Sequence, residues 1–443
     1  MKKTLPLIIL FAMLCASAAA QTKPSPQPVV GAVPASATDA RQEAFDIVWR
    51  TVKEKHFDPT FGGVDWDKVR VEYAPRVAAA KNDSEFYQLL QKMLGELHQS
   101  HFAIVPPEVL AADNPDAPRG GGIGIDLRII DGQAVITRVE PGLEAARAGL
   151  SPGFVIRQVG KETVEQLVER FAKSDLPPTL RALYITRAVL GRIEGAPGTT
   201  VSITFVDERD QTREASITRE AMKGELMPGL GNFPPQLVEF ESRRLAGGIG
   251  YIRFNVFVIG LMDKIRAAVR SMSDAPGIIF DLRGNPGGLG GMAAGIAGVL
   301  ETKQTSLGVM KMRAGYINFA VFPQAGAFAG PVVILIDGLS ASTSEVFASG
   351  MQEIGRARVV GERSAGAALP SIIQKLPTGA LFQYAIADFK TPKGVLIEGR
   401  GVIPDVEIKL SRRALLEGRD SQLEAAVEQI KKLSAVSGQP SVK

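Results

Sequence analysis

Apolar and polar positions divide the chain into three stretches with different grammars. Between residues 39 and 108 the apolar positions recur at helical spacing. Ala44, Ile47, Val48 and Val52 share one face, and a run through Phe86, Leu89, Leu90, Met93 and Leu97 predicts a second helix that begins at Asp83. That helix should end near Leu97-His-Gln-Ser-His101, with an extended segment, 102–107, after it. Residues 119–220 read as β-rich. Strands are predicted at 120–125 and 134–139, a short glycine-closed helix at 141–153, and a lead into a further strand at 155–160. A long helical stretch, 164–192, then precedes a last strand at 200–205. From about 225 to 435 strands and helices alternate. Strands are predicted at 249–254, 277–283 and 331–337, and helices at 261–272, after the glycines of 284–288, at 345–354 and at 420–433. This is the grammar of an α/β domain with a largely buried sheet. No fixed-period repeat runs through it.

Composition narrows the picture. The 443 residues are 45% hydrophobic and 22% charged, enough for two or three domains with a sizeable core. The first twenty residues have the pattern of a secretory signal: Lys2 and Lys3, an apolar run from Leu5 to Leu14, then Ala18-Ala19-Ala20 before Gln21. Residues 21–38, rich in Pro, Ser, Ala and Val, read as a flexible linker. The expected location is therefore outside the cytoplasm, periplasmic or secreted. The apolar run is too short to span a bilayer, so no stable membrane span is expected after cleavage. Formal charge is +4, and loss of Lys2 and Lys3 leaves +2 (4 − 2). With no basic stripe, nucleic acid is excluded as an expected partner. Cys15 is the sole cysteine and lies in the signal, which excludes a cysteine nucleophile, a disulfide or a thiolate metal site in the processed chain.

Two segments carry candidate chemistry. Gly338-Leu-Ser-Ala-Ser-Thr-Ser-Glu345 joins an apolar strand to a helix and places Ser342 at the bend. There a hydroxyl projects from the backbone, beside the free N–H groups of a helix start. Ser342 to Glu345 also fits a helix capping box, so cap and nucleophile are both open from this segment alone. Asp281-Leu-Arg-Gly-Asn-Pro-Gly-Gly288 follows another strand, and its glycines let backbone N–H groups face a cavity. It lacks the Lys and Ser/Thr of a phosphate-binding loop, and an ordinary turn is the plainer alternative. A serine nucleophile needs a base, and the chain has only His56, His98 and His101. His98 and His101 stand one helical turn apart, but no further ligand completes a metal set, so neither metal nor cofactor is expected.

Residues 120–165, with the loop Gly121-Gly122-Ile123-Gly124, resemble a PDZ domain, apart from Phe154 where such domains usually carry Asp. That likeness implies a groove in which a peptide adds a strand and its C-terminal carboxylate meets the loop N–H groups. Together with Ser-Ala-Ser-Thr-Ser-Glu and Asp-Leu-Arg-Gly-Asn-Pro-Gly-Gly, the layout resembles the C-terminal-processing and tricorn-like serine peptidases. The resemblance implies a crotonase/ClpP-like α/β catalytic domain at 225–435, an inserted PDZ domain at 119–220 and an N-terminal helical region at 39–108 that contributes a histidine. Ser342 would be the nucleophile, and the N–H of Thr343 with one from Gly287 or Gly288 the oxyanion donors. One branch of the family uses a lysine base, but Gly361-Glu-Arg-Ser-Ala-Gly-Ala-Ala368 carries Ala367 at that position. Met93 to His101 and Val395 to Asp405 instead resemble the tricorn-like branch, which would make His101 the base, Ser100 its orienting neighbour and Glu398 the distant carboxylate. The expected function is an exported peptidase acting on polypeptides bound by their C-termini. A catalytically inactive binding or scaffold protein on the same fold, and an acyl-CoA enzyme, remain as alternatives at this point.

Overall fold

The computed structural model describes residues 37–107, 120–173 and 178–436. The expected signal, 1–20, and the linker up to residue 36 lie outside the described residues. Helix α1 (Ala37–Lys55) begins two residues inside the expected linker. It packs with α2 (Trp66–Ala78) and α3 (Asp83–Gly95) around Phe45, Trp66, Phe86 and Leu90. Trp49 and Trp66 each donate the indole N–H to the other's carbonyl at 3.0 Å, which locks α1 to α2. The cap of α3 is Asn82 and not Asp83: the Asn82 side-chain oxygen, Oδ1, accepts from the N–H of Glu85 at 2.9 Å, and Asp83 is the first helical residue. Beyond α3 the chain turns through left-handed backbone at His98 and His101, with φ of 51° and 61°. Strand Ala103–Val105 then pairs antiparallel with Leu381–Ala385, Ala103 opposite Gln383. This pairing ties the N-terminal helices to a segment almost three hundred residues later, and buries Phe382 and Tyr384 in the same core as Phe86.

The β-rich stretch is a six-stranded antiparallel sheet, five strands along one path and a short strand, Glu162–Thr163, paired off it with Val155–Val159. Its order is β1 (Ile125–Ile130), β2 (Gln133–Val139), β3 (Val155–Val159), β4 (Thr200–Val206) and β5 (Thr212–Thr218), so β1 is an edge strand. The strand at 200–205 is not the last, as the pattern suggested. β5 follows it, and the exposed Arg213 and Glu214 had hidden its strand character. The stretch at 164–192 is two helices, α4 (Val164–Ala172) and α5 (Pro178–Ile193). Helix α5 serves two cores. Ile185, Val189 and Ile193 pack on the sheet with Leu127, Ile136 and Ile156, while Leu180 and Leu183 point to the segment around Ala341 and Ala367.

The remaining chain forms a mixed α/β unit. Its six-stranded sheet runs β6 (Phe240–Arg244), β7 (Gly250–Phe254), β8 (Ile278–Asp281), β9 (Val332–Ile336), β10 (Arg358–Gly361) and β11 (Val406–Glu407), parallel except for the first pair. Side chains alternate between two covered faces, as a buried parallel sheet requires. Ile278, Phe280, Ile334, Ile336 and Val359 meet α6 (Met262–Ser271), α7 (Gly291–Gly298) and α8 (Thr343–Glu353). Ile279, Val333, Leu335 and Val360 meet α9 (Ser421–Val436), which packs on the sheet as its amphipathic pattern predicted. Among the described residues no helix is long and apolar enough to cross a membrane.

Candidate active site

Both glycine- and serine-rich segments leave the same end of the parallel sheet, after β8 and after β9. Asp337, just past β9, is buried and organises both. One carboxylate oxygen accepts from the N–H groups of Gly284 and Leu339, each at 3.0 Å, and of Ser340 at 3.2 Å. The other meets Arg128 of β1 at 2.5 Å. Asn285, fully buried, does the finer joining. Its carbonyl accepts from Ala341 N–H at 3.1 Å and from the Ser344 hydroxyl at 2.9 Å, and its side-chain oxygen accepts from Gly287 N–H at 2.9 Å.

Ser342 sits at the bend with φ 54° and ψ −118°, a conformation that L-residues rarely adopt. Strain of this kind costs about 1–3 kcal/mol and persists only where the surroundings over-determine it. Here they do. Ser342 N–H donates to the carbonyl of Ala367 at 2.7 Å and to the carboxylate of Glu345 at 3.0 Å. The capping-box relation of Ser342 and Glu345 is thus present, but its well-made bond is the return one. Glu345 N–H goes to the Ser342 carbonyl at 2.8 Å, and the Ser342 hydroxyl makes no cap hydrogen bond. The hydroxyl is left at the half-buried mouth of helix α8. Glu345 itself is buried, and burial pushes its carboxyl up to about 7 against four hydrogen bonds that pull it down, from Ser364, Gly366, Ala367 and Ser342.

The oxyanion donors can be sorted. Gly287 N–H is spent on Asn285, whereas no acceptor among the described residues engages the N–H of Thr343 or of Gly288. The backbone here has room only for glycine. At Gly287, φ 100°, a Cβ would come within 2.7 Å of Ser342 Cβ and 2.8 Å of Thr343 N; at Gly288, φ 135°, within 2.3 Å of the Phe257 carbonyl. Gly287 is therefore the residue that lets the loop approach Ser342, and Gly288 the one whose N–H is free to donate.

The other half of the site comes from far away in sequence. Glu398 accepts from Ser100 twice, from its N–H at 2.8 Å and its hydroxyl at 2.9 Å, and Ser100 Oγ lies 2.7 Å from His101 Nδ1. Because the single hydroxyl proton of Ser100 goes to Glu398, Nδ1 of His101 must carry the proton of the remaining contact. That leaves Nε2 as the free base. Burial, and then the charge of Arg187, lower His101 to about 4, so the imidazole is neutral at neutral pH. Burial also raises Glu398, opposed by hydrogen bonds from Ser100, Ala368 and Leu369. The two halves meet along one short segment: Ala367 carbonyl holds Ser342 N–H, and the next residue, Ala368, gives its N–H to Glu398 at 2.9 Å. No hydrogen bond among the described residues joins the Ser342 hydroxyl to His101. Such contacts often close only around substrate.

Some of this was invisible in the sequence. Asn285 could have been suspected from its place in a Gly-Asn-Pro-Gly turn. Asp337 and Arg187 gave no signal, and Glu345 was marked only by the capping box, not by its bonds to Ser364, Gly366 and Ala367. His98 is exposed, and His56 is buried between Phe57 and Phe102 with Nε2 2.8 Å from Gln99. Among the described residues no trio of His, Cys, Asp or Glu side chains is arranged for a metal. The glycine-rich loop before β1 lies at one end of a groove between the β-rich and α/β units. Gly121 does not belong with its free donors, because its N–H bonds the Gly195 carbonyl at 2.5 Å; those of Ile123 and Gly124 have no acceptor among the described residues. Gly122 pairs with Glu220, and Gly124, φ 82°, leaves no space for a Cβ beside Leu143.

A strained serine at a helix start, unspent backbone donors and a neutral histidine are the groups that serine hydrolase chemistry requires. Comparison with known proteins finds likenesses to peptidases. The peptidase family S41 domain matches residues 248–408, and the tricorn protease C1 domain matches residues 37–95. The carboxyl-terminal-processing protease of Synechocystis sp. is 25% identical over 390 residues, 86% of this chain and 84% of that protein. The photosystem II D1 C-terminal processing protease superposes with a TM-score of 0.59 at 24% identity, covering 85% of this chain and 97% of that one. Mature CPAF does so with 0.63 at 12% identity, covering 91% and 99%. The last two likenesses speak for the fold. Residues 248–408 are thus similar to the peptidase family S41 domain, and residues 37–95 to the tricorn protease C1 domain.

Proposed function

We propose that the chain is an exported peptidase that cleaves polypeptides through an acyl-enzyme on Ser342, with His101 as general base, Ser100 and Glu398 as its orienting pair, and residues 119–220 as a PDZ domain that holds substrate C-termini. The observation that carries the reading is the chain of hydrogen bonds from Glu398 through Ser100 to His101, tied by Ala367 and Ala368 to the backbone of Ser342. In this mechanism Nε2 of His101 takes the hydroxyl proton as Ser342 Oγ attacks the scissile carbonyl. The carbonyl oxygen becomes an oxyanion that accepts from the N–H of Thr343 and of Gly288. Collapse breaks the C–N bond, and the leaving amine takes the proton from His101. Water then gives a proton to His101 as its oxygen bonds the acyl carbon; collapse breaks the C–Oγ bond, and His101 returns the proton to Ser342 Oγ. Ala367 fills the position of the family's lysine, and its methyl group packs with Leu180, Leu183, Leu339 and Ala341, so no second base is available there.

Export rests on the N-terminal pattern alone, and the crotonase/ClpP-like architecture of the catalytic domain, 225–435, rests on the family resemblance. A binding protein without turnover is disfavoured by physical economy: a strained serine and two unspent N–H donors are costs a passive scaffold has no reason to maintain. The test is hydrolysis of an unfolded polypeptide by the processed chain. Cleavage by the parent that disappears in Ser342→Ala and His101→Ala, with fold retained, supports the reading. Equal cleavage by parent and Ser342→Ala would overturn it.

A further inference from the structure

The groove between the β-rich and α/β units encloses about 380 Å³. One wall is the unpaired edge of β1, with α5 beside it. Strand β1 sorts its side chains cleanly by alternation. Ile125, Leu127 and Ile129 face the core of the β-rich unit, while Asp126 and Arg128 face the α/β unit, where Asp126 meets Arg253 at 2.7 Å and Arg128 meets Asp337. The opposite wall, including Glu239 and Phe240, comes from the α/β unit.

Charge in the groove is unbalanced. Its lining carries six carboxylates and four cations, and all four cations are already engaged. Arg253 meets Asp126, Arg138 and Lys223 meet Glu140 at 2.9 and 3.6 Å, and Lys264 meets Glu225. Glu241 is paired with Arg243 at 2.7 Å. The carboxylate of Glu239 has no hydrogen bond or ion pair with any described residue; only its backbone is held, the N–H by the Asn255 side chain at 2.9 Å and the carbonyl by the Asn255 N–H at 3.3 Å. Burial and then the nearby Asp126 push its carboxyl up, opposed by Arg138. A half-buried acid among other acids, with every local cation taken, is complementary to a cation brought by a ligand.

We propose that this groove selects polypeptide C-termini with Lys or Arg at the penultimate position, the cation being read by Glu239 of the α/β unit. The inference rests on the PDZ reading of residues 119–220 and adds the specificity residue. A peptide added to the β1 edge, with its carboxylate at Ile123 and Gly124, turns its terminal side chain toward Leu143, Leu190 and Ile193. Successive side chains alternate, so the penultimate one turns to the opposite wall, where Glu239 stands. Specificity is thereby divided: the β-rich unit reads the apolar terminus and the peptidase unit reads the charge.

The test uses the processed chain with Ser342→Ala, so that ligands survive, and fluorescent hexapeptides ending in Leu that differ only in a penultimate Arg, Gln or Glu. Anisotropy should give Kd values about five- to tenfold tighter for Arg than for Gln, and weaker still for Glu. Glu239→Gln should erase the Arg–Gln difference and leave the Gln peptide unchanged; Glu239→Lys should invert the order to favour Glu. Thermal midpoints should stay with the parent, since Glu239 has no internal partner to lose. C-terminally amidated peptides separate the two layers. Binding that needs the free carboxylate but shows no preference for Arg, or a preference that survives Glu239→Gln, overturns this inference alone. Amides that bind as well as acids, or no binding by any peptide, overturn it together with the PDZ reading.

Discussion

The two halves of the site are held in opposite ways. The Ser342 half is continuous and rigid: Asp337 and Asn285 stitch two neighbouring loops of one sheet, and the residues from Ser340 to Ser349 are buried except for Ser342. The His101 half is a long-range assembly. Its histidine lies on a left-handed turn between α3 and a three-residue strand, and meets Ser100, whose hydroxyl is held by a carboxylate 298 residues further on. The first half stores strain and can do so because local bonds are abundant. The second has few local bonds, and depends on one clasp, Glu398 on Ser100.

That contrast can be broken from either side. The largest effect is expected at Gly288→Ala, which drives a Cβ to 2.3 Å from the Phe257 carbonyl and displaces the proposed oxyanion donor. Turnover should fall by about 10²–10³, carried in kcat, as for loss of one such donor. Glu398→Gln should cost about 10- to 100-fold, less than a lost base, because Ser100 keeps part of its bonding while the orientation of His101 loosens. The check is kcat/KM for both variants on one substrate. Ala367→Lys should restore nothing. It pushes a long cation into the apolar cluster of Leu180, Leu183, Leu339 and Ala341, and should lower stability by about 1–3 kcal/mol, read as a drop in Tm.

The smallest effect sharpens the electrostatics. His101 must be neutral to act, and with its titration lowered to about 4, activity should stay level through neutral pH and fall only as acid protonates it near that value. Arg187→Ala removes the cation that contributes to the lowering, so the acid limb of the rate profile should move to higher pH while the plateau persists. The same shift fixes the sign for stability. In the window between about 4 and 6.5 the unfolded chain binds the proton that the folded chain refuses, so His101 contributes stability above this window and loses it as pH falls through it.

The same contrast explains what the sequence disclosed. The Ser342 half was readable because each of its two segments is contiguous: a strand followed by a glycine turn, and a strand followed by a serine at a helix start, each leave a pattern within about ten positions. The His101 half was reached only through family likeness, since no periodicity links Ser100 to Glu398. Helix α2 and strand β5 escaped notice because their exposed faces are charged and tertiary packing decides them. Asn82 displaced Asp83 as the cap of α3, a difference of one residue between two good capping types. Arg128 and Asp337, which tie β1 to the nucleophile bend, belong to no shared motif, and only the packing of the two units brings them together.

The central claim is that His101 activates Ser342. Its most direct test is labelling of the processed chain with a fluorophosphonate, with the adduct mapped by mass spectrometry in the parent and in His101→Ala. The account predicts a single adduct on Ser342 that forms in the parent and fails to form in the variant. Labelling of Ser342 at an equal rate in both proteins, or an adduct on another residue, would contradict it.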